Sequence, residues 1–482
     1  MLKSLKPNLA YQLFASFVFA VTPVLTFPYL SRTLGPEHIG EINFIDFTSQ
    51  LFILIASFGI PLYGAREIAK HRSNKKKVAE TAAELLSIHL VVTALCIFLF
   101  FFTLRFNKAI ELQKELIFLA TLNIAFNAFT FDWLISGLED FKFLSQRALV
   151  TKTLLIISTF LFVRSSPDST IYYTILVGNS ILIIVIDISY MLKKKVPISL
   201  QTNIKKHLKP LSVFFITAAA VSAYTYLNTF LLGVLSGSLA VGFYTTALKI
   251  VKLSQNLVND LSHVVMPRVA YLVELENANE IQRVIDKSLL FVSTTSIPLG
   301  LFFYMLAPEI IDITASQAFH PSICSLQILS GIPLIIGIGR VFGFQILIPF
   351  RKEKQMLLPV ICGSIMCISL SLLLCAYMKE NGAAIAYLVA ETCVTIITGY
   401  YARKIISFTF PPKMLLSICC SSLLFIPIIL VIRSLVVEQL YIVLLCFVLC
   451  GICFTLIQSI YSNNPVIKNI LQFILSIVQK PK

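Results

Sequence analysis

Charge is scarce in this 482-residue chain. Only 13% of its residues are Asp, Glu, Lys or Arg, about half the share of a typical soluble domain. Hydrophobic residues make up 57%, and the mean hydropathy is +0.86. No water-soluble fold hides that much apolar surface, so the composition excludes a soluble globular protein and predicts an integral membrane protein along nearly the whole chain. Chemistry-bearing motifs are equally scarce. The sequence has no glycine-rich nucleotide loop, no zinc spacing and no nucleophile–base pattern, so neither ATP nor a resident metal or cofactor is expected here. The 11 cysteines lie mostly inside apolar runs, as Cys96, Cys367 and Cys446 do, and read as small packing residues. Cys419 and Cys420 are adjacent and are not expected to bridge. Lys3 and Lys6 precede an apolar run with no small-residue cleavage site, which predicts an uncleaved first helix.

Crossing a bilayer takes about 20 apolar residues. Fourteen such runs are present, at roughly 8–32, 40–68, 84–104, 112–136, 147–163, 170–192, 210–234, 240–270, 285–306, 322–349, 356–377, 382–402, 414–432 and 439–460. Orientation follows from the basic residues. With the N-terminus in the cytoplasm, 29 of the 39 Lys and Arg fall on the inner side and 7 on the outer, leaving Lys249, Lys252 and Arg340 within spans. Shifting the count by one helix scrambles this bias. The net charge of +15 is therefore a topology signal rather than a nucleic-acid footprint, and both termini are expected inside. Pro28, Pro61, Pro267, Pro298, Pro333, Pro359 and Pro427 lie within runs, and each is expected to kink or break its helix.

A short turn occurs twice. GPEHIG at 35–40 separates the first two runs, and GSLAVG at 237–242 separates the seventh and eighth, an offset of 202 residues that also carries Arg66 onto Arg268. Parallel repeats related by an axis along the membrane normal are a transporter signature, with the site expected between the halves. The expected layout is an all-α polytopic membrane protein. Residues 1–192 form one six-helix lobe, 193–209 a basic cytoplasmic linker with Pro197, and 210–404 a second six-helix lobe. Residues 405–464 add two helices outside the repeat. In the tail, 465–482, Ile467, Ile470, Leu471, Ile474, Leu475 and Val478 share one helical face, which suits a helix lying on the inner membrane surface.

Ionisable groups at membrane depth are costly and mark functional sites by default. Lys249, Lys252, Asn256, Asp260 and His263 recur every three or four residues, so they share one helix face. Such a stripe is expected to line a water-filled cavity, the competing reading being lysines paired with acids inside a packed bundle. The equivalent helix of the first half carries Asn43, Asp46 and Gln50, and the repeat offset sets Gln50 opposite Lys252. Arg340 and Glu391 lie deep in later runs and are equally suited to the cavity or to pairing, with each other or with the lysines. Arg32, at the outer end of the first run, either snorkels or turns into the cavity mouth. Arg66 and Arg268, at inner helix ends, are candidates for an inner gate together with Asp132. Asp132 and Asp187 otherwise read as interfacial anchors, Asp187 beside the Lys193 cluster.

Several of these segments resemble a known family. PYLSRTLGPEHIG at 28–40, YGAREIA at 63–69 and DWLISGLEDF at 132–141 look like the landmarks of Wzx-type polysaccharide flippases, which belong to the multidrug/oligosaccharidyl-lipid/polysaccharide exporter superfamily. VGFY at 241–244 and QILIP at 345–349 are similar but less specific. The resemblance implies a V-shaped pair of six-helix lobes around a cationic cavity in a bacterial inner membrane. It implies a cargo of undecaprenyl-pyrophosphate-linked oligosaccharide for O-antigen or capsule synthesis, moved to the outer leaflet by alternating access. A polysaccharide polymerase and a chain-length regulator are the implied protein partners, besides membrane lipids. Related lipid flippases hold the pyrophosphate with cavity arginines, whereas the deep cations here are Lys249 and Lys252 with Arg340 and Arg32. Asp46 and Glu391 are the candidates for coupling to protons or sodium ions.

Three other functions compete with this reading. A cation-coupled drug or metabolite antiporter on the same fold favours acidic cavity residues over lysines. A membrane-embedded polysaccharide enzyme carries a sizeable outer loop, and the longest outer connection here is about 307–321. A passive scramblase is compatible with the sequence. A transporter rather than an enzyme is the expectation, with no nucleic-acid partner.

Overall fold

The computed structural model describes residues 5–106, 114–193, 204–409, 412–468 and 471–472. Within these residues the chain is helical throughout and no strand occurs. Hydrocarbon offers backbone groups no partners, so an apolar chain that crosses it must close its hydrogen bonds within each segment. Among the described residues ten helical stretches are long and apolar enough to span, and the chain is a multi-pass membrane protein.

Two compact units divide the chain, Met1–Gly242 and Phe243–Lys482. The first unit holds α1 (Leu5–Ser57), α2 (Ile60–His71), α3 (Lys75–Phe106), α4 (Lys114–Asn127), α5 (Asp132–Gly137), α6 (Phe141–Phe162), α7 (Ser169–Lys193) and the first part of α8 (Lys205–Glu274). The second holds the rest of α8, then α9 (Ala278–Met305), α10 (Ala307–Thr314), α11 (Ser322–Leu329), α12 (Ile332–Arg340), a π-helical segment Val341–Leu347, α13 (Leu357–Arg403), α14 (Pro412–Leu423), α15 (Phe425–Leu435) and α16 (Gln439–Ile460). Large apolar side chains such as Phe98, Leu373 and Phe447 are exposed on the outside of the units, as residues facing lipid must be.

The repeated turn has the same backbone in both copies. Gly35 sits at φ 76, ψ 173 and Gly237 at φ 85, ψ 171, each the single non-helical residue within its long helix. That region of backbone space is essentially open only to glycine. The two turns also pack on each other: a Cβ on Gly40 would overlap the Ser238 carbonyl, and one on Gly242 would overlap the Pro36 carbonyl.

Proline predicts some breaks and misses others. The chain breaks at Phe58 (φ 44) and Gly59 (φ 78), just ahead of Pro61 in the first turn of α2. Pro333 likewise opens α12, and Pro427 lies in the first turn of α15, after the interruption at Leu424. The expectation of a kink or break at every proline is not met, however. Pro28 and Pro298 lie inside α1 and α9 with no non-helical dihedral beside them, since one missing hydrogen bond can be absorbed without leaving helical geometry when packing holds the helix. The run at 40–68 is accordingly two helices rather than one. The outer connection 307–321 contains α10. Residues 194–203 of the linker and most of the tail helix lie outside the described residues, which include helical Pro465 to Lys468.

Candidate functional site

Lys249 and Lys252 lie on α8 in the second unit. Lys252 is half-buried, and the Glu391 carboxylate on α13 lies within electrostatic reach of it. Glu391 itself is buried at 7% exposure. Lys249, one turn earlier, is also half-buried. The side chains of Asn256, Asp260 and His263 lie outside the described residues.

Arg340 ends α12 at the junction with the π-helical segment, and its guanidinium lies 4.9 Å from the Phe344 ring centroid. π-turns inside helices are rare and gather at functional sites. Here the segment is pinned to α8 by Gln345, whose Nε2 donates to Ser262 Oγ at 3.2 Å, while its Oε1 is buried without a hydrogen-bond partner. Nearby, Thr395 Oγ1 of α13 donates to the Ile335 carbonyl at 3.0 Å, in the notch left by Gly339. Thus α8 and α13 bring Lys252 and Glu391 together in the second unit, and Arg340 stands at the end of α12 against Phe344.

In the first unit Asn43 is buried and Asp46 half-buried. Asp46 lies within electrostatic reach of Tyr172, Tyr173 and Tyr226. Ser49, three residues on, meets the Tyr173 hydroxyl at 3.4 Å. Gln50 lines a cavity of about 260 Å³ shared by α1, α2, α3, α4, α5 and α8. Arg32 is exposed near the Gly35 turn.

The gate candidates behave differently from one another. Arg66 is exposed and stacks 4.9 Å from the Phe214 ring and 5.7 Å from the Tyr63 ring, beside an ion pair with Glu67. Arg268 is exposed on α8. Asp132 pairs with Arg147 at 2.5 Å. Arg147 also holds Asp187, with both carboxylate oxygens at 2.7 Å from one guanidinium nitrogen. Asp187 is fully buried, so it is a core partner of Arg147 and not an anchor for the Lys193 cluster. A carboxylate with no access to water needs such a partner far more than it needs a basic surface.

Two arrangements escaped the sequence. One is Arg147 itself, which counts in the sequence merely as one more inner-side charge. The other is a buried chain in which the Tyr63 hydroxyl meets His207 Nδ1 at 2.7 Å, His207 Nε2 meets Glu84 at 2.8 Å, and Lys206 reaches Glu84 at 2.8 Å. His207 and Lys206 of α8 lie more than 100 residues from Tyr63 of α2 and Glu84 of α3, so no local spacing announces it.

Comparison with known proteins agrees with this architecture. The family model described as polysaccharide biosynthesis protein matches residues 5–273. The chain is 27% identical over 409 residues to the "Putative O-antigen transporter" of Escherichia coli (strain K12), covering 83% of this chain and 97% of that one. It is 26% identical to the protein of the same name from Shigella dysenteriae, covering 79% and 95%. Among solved structures, the lipid II flippase MurJ in an inward closed conformation superposes with a TM-score of 0.74 at 15% identity, over 95% of this chain and 99% of that one. An inward-facing multidrug resistance MATE transporter of the MOP superfamily superposes with a TM-score of 0.67 at 14% identity, over 80% and 93%. These structures share the fold, and the family match spans more than half of the sequence: the chain belongs to the polysaccharide biosynthesis protein family.

Proposed function

We propose that this protein is a flippase for undecaprenyl-pyrophosphate-linked oligosaccharide, carrying polysaccharide repeat units from the inner to the outer leaflet of a bacterial inner membrane. The relatives named as O-antigen transporters support the cargo class. The observation that carries the reading is the half-buried Lys249 and Lys252 on α8, in a unit that also sets Arg340 at a helix discontinuity. A pyrophosphate cannot enter hydrocarbon without groups that replace its hydration. Fixed cations at membrane depth do so, while the polyprenyl tail stays in lipid. Discontinuous helices at such sites leave backbone groups free to face a polar ligand. Lobes 1–192 and 210–404 rock against each other to expose the site to alternate sides, and Asp46 or Glu391 ties that motion to a proton or sodium gradient.

Translocation is tested directly. Reconstituted protein moves a fluorescent undecaprenyl-pyrophosphate oligosaccharide between leaflets, and the Lys249→Ala, Lys252→Ala double variant, inserted at normal levels, does not. Equal translocation by the double variant would remove the lysines from the site. Drug efflux without glycolipid movement would replace the cargo.

A further inference from the structure

The cavity of the first unit is not accounted for by the head-group site. It encloses about 260 Å³ and is lined by Gln50, Ser57, His89, Asn127, Trp133 and Tyr226, among others. It sits beside the break at Phe58 and Gly59, where α1 gives way to α2. His89 is only 3% exposed, yet its Nε2 has no hydrogen-bond partner and the residue lines the cavity. A buried, unpaired ring nitrogen costs free energy unless something in the cavity meets it.

The walls define the chemistry of that something. The volume far exceeds the roughly 30 Å³ of one water and falls just short of the roughly 300 Å³ at which sites for drug-sized ligands begin. It suits one ring. Gln50 and Asn127 bring amides, Ser57 and Thr130 bring hydroxyl oxygens that can accept, their protons being donated to the Leu54 and Asn127 carbonyls, and Tyr226 and Trp133 bring aromatic surface beside aliphatic Ile53, Leu54, Ile60 and Pro61. The indole is fixed in place: its Nε1 donates to the Thr130 carbonyl at 3.1 Å, and it packs against Gly64, where a Cβ would come within 2.6 Å of the ring. The only carboxylate in the lining, Asp132, is already held by Arg147 at 2.5 Å. Neutral donors and acceptors beside a flat aromatic wall match a neutral polyhydroxylated ring. They offer no cluster of carboxylates for a cation and no free cation for a phosphate.

We propose that this cavity binds one neutral sugar ring of the cargo. The proposal rests on the flippase reading for its cargo but makes a claim that can be tested without transport. Trp133 is the single tryptophan of the chain, so emission excited selectively at the indole comes from the wall of this cavity. Purified full-length protein in lipid nanodiscs is titrated with methyl glucoside, methyl N-acetylglucosaminide and, as a contrast, inorganic pyrophosphate. A saturable emission change with at least one glycoside, and none with pyrophosphate, is expected. Gln50→Ala with Asn127→Ala should weaken the apparent affinity by about tenfold or more. Ser57→Ala supplies the smaller second variant should the double one fail to fold.

A flat response to both glycosides would overturn the proposal, as would an unchanged affinity in the folded variants or a saturable response to pyrophosphate alone. The two readings fail separately. Glycoside binding without glycolipid translocation would overturn the flippase reading and leave the sugar site standing. Translocation with no glycoside response would do the reverse.

Discussion

His207 Nε2 lies 2.8 Å from Glu84 Oε2 while its Nδ1 meets the Tyr63 hydroxyl at 2.7 Å, so one buried imidazole joins α2, α3 and the start of α8. All three residues are less than 5% exposed. The strength of such a chain lies in its completeness, because each buried group left unpaired costs about 1–3 kcal/mol. His207→Ala strips partners from both Glu84 and Tyr63, whereas Tyr63→Phe removes one hydrogen bond worth about 1 kcal/mol. Thermal unfolding in detergent should rank the variants wild type, Tyr63→Phe, His207→Ala in falling stability. Equal stability of the last two would mean that the chain does not act as a unit.

The ion pairs of Arg147 should separate by burial. Asp187 is fully buried, and Asp132 has a side chain 60% exposed. Removing a buried partner leaves an uncompensated charge and costs about 3–5 kcal/mol, while an exposed pair contributes about 1 kcal/mol or less. Asp187→Ala should therefore depress the unfolding temperature and the membrane yield strongly, and Asp132→Ala only slightly. The reverse order would show that Asp132 is the true partner of Arg147.

These two relationships mark the limit of what the sequence discloses. Helices and the repeated turn are written in local patterns: apolar runs and a glycine pair at a fixed offset. Polar partners across helices are not, because a charge at the inner end of a helix serves topology equally well whether or not it is paired. Arg147 and Glu84 look like their neighbours in sequence, and only the packing of α3, α6 and α7 separates them. Proline is legible in part for the same reason. It names positions where a helix can break, and tertiary packing decides that Pro61 follows a break and Pro298 does not.

The repeated turn gives a sharper prediction. Gly35 and Gly237 share one conformation, and a Cβ on either would meet nothing within 4 Å. Replacement by alanine thus brings backbone strain without a clash, on the order of 1–3 kcal/mol at each site. Gly40→Ala acts by a different route, since its Cβ overlaps the Ser238 carbonyl. Equal, moderate losses of thermal stability are expected for the first two variants and a larger one for Gly40→Ala. A marked difference between Gly35→Ala and Gly237→Ala would show that the two turns are not structurally equivalent.

The second unit's cation and acid separate a structural role from a transport role. Lys252 and the buried Glu391 interact across α8 and α13. Removing either charge alone takes a favourable interaction from the other, so a single variant confuses instability with lost function. Exchanging them, Lys252→Glu with Glu391→Lys, keeps the attraction and moves the positive charge to α13. If Lys252 holds the pyrophosphate from α8, the exchanged protein should approach wild-type thermal stability yet lose more than about tenfold in glycolipid translocation, because an anion bound by a misplaced cation forfeits more than ~1.4 kcal/mol. Lys252→Arg, which keeps a cation on α8, should retain most of the rate. Full translocation by the exchanged protein would show that the pair serves the fold and that the head group is held elsewhere.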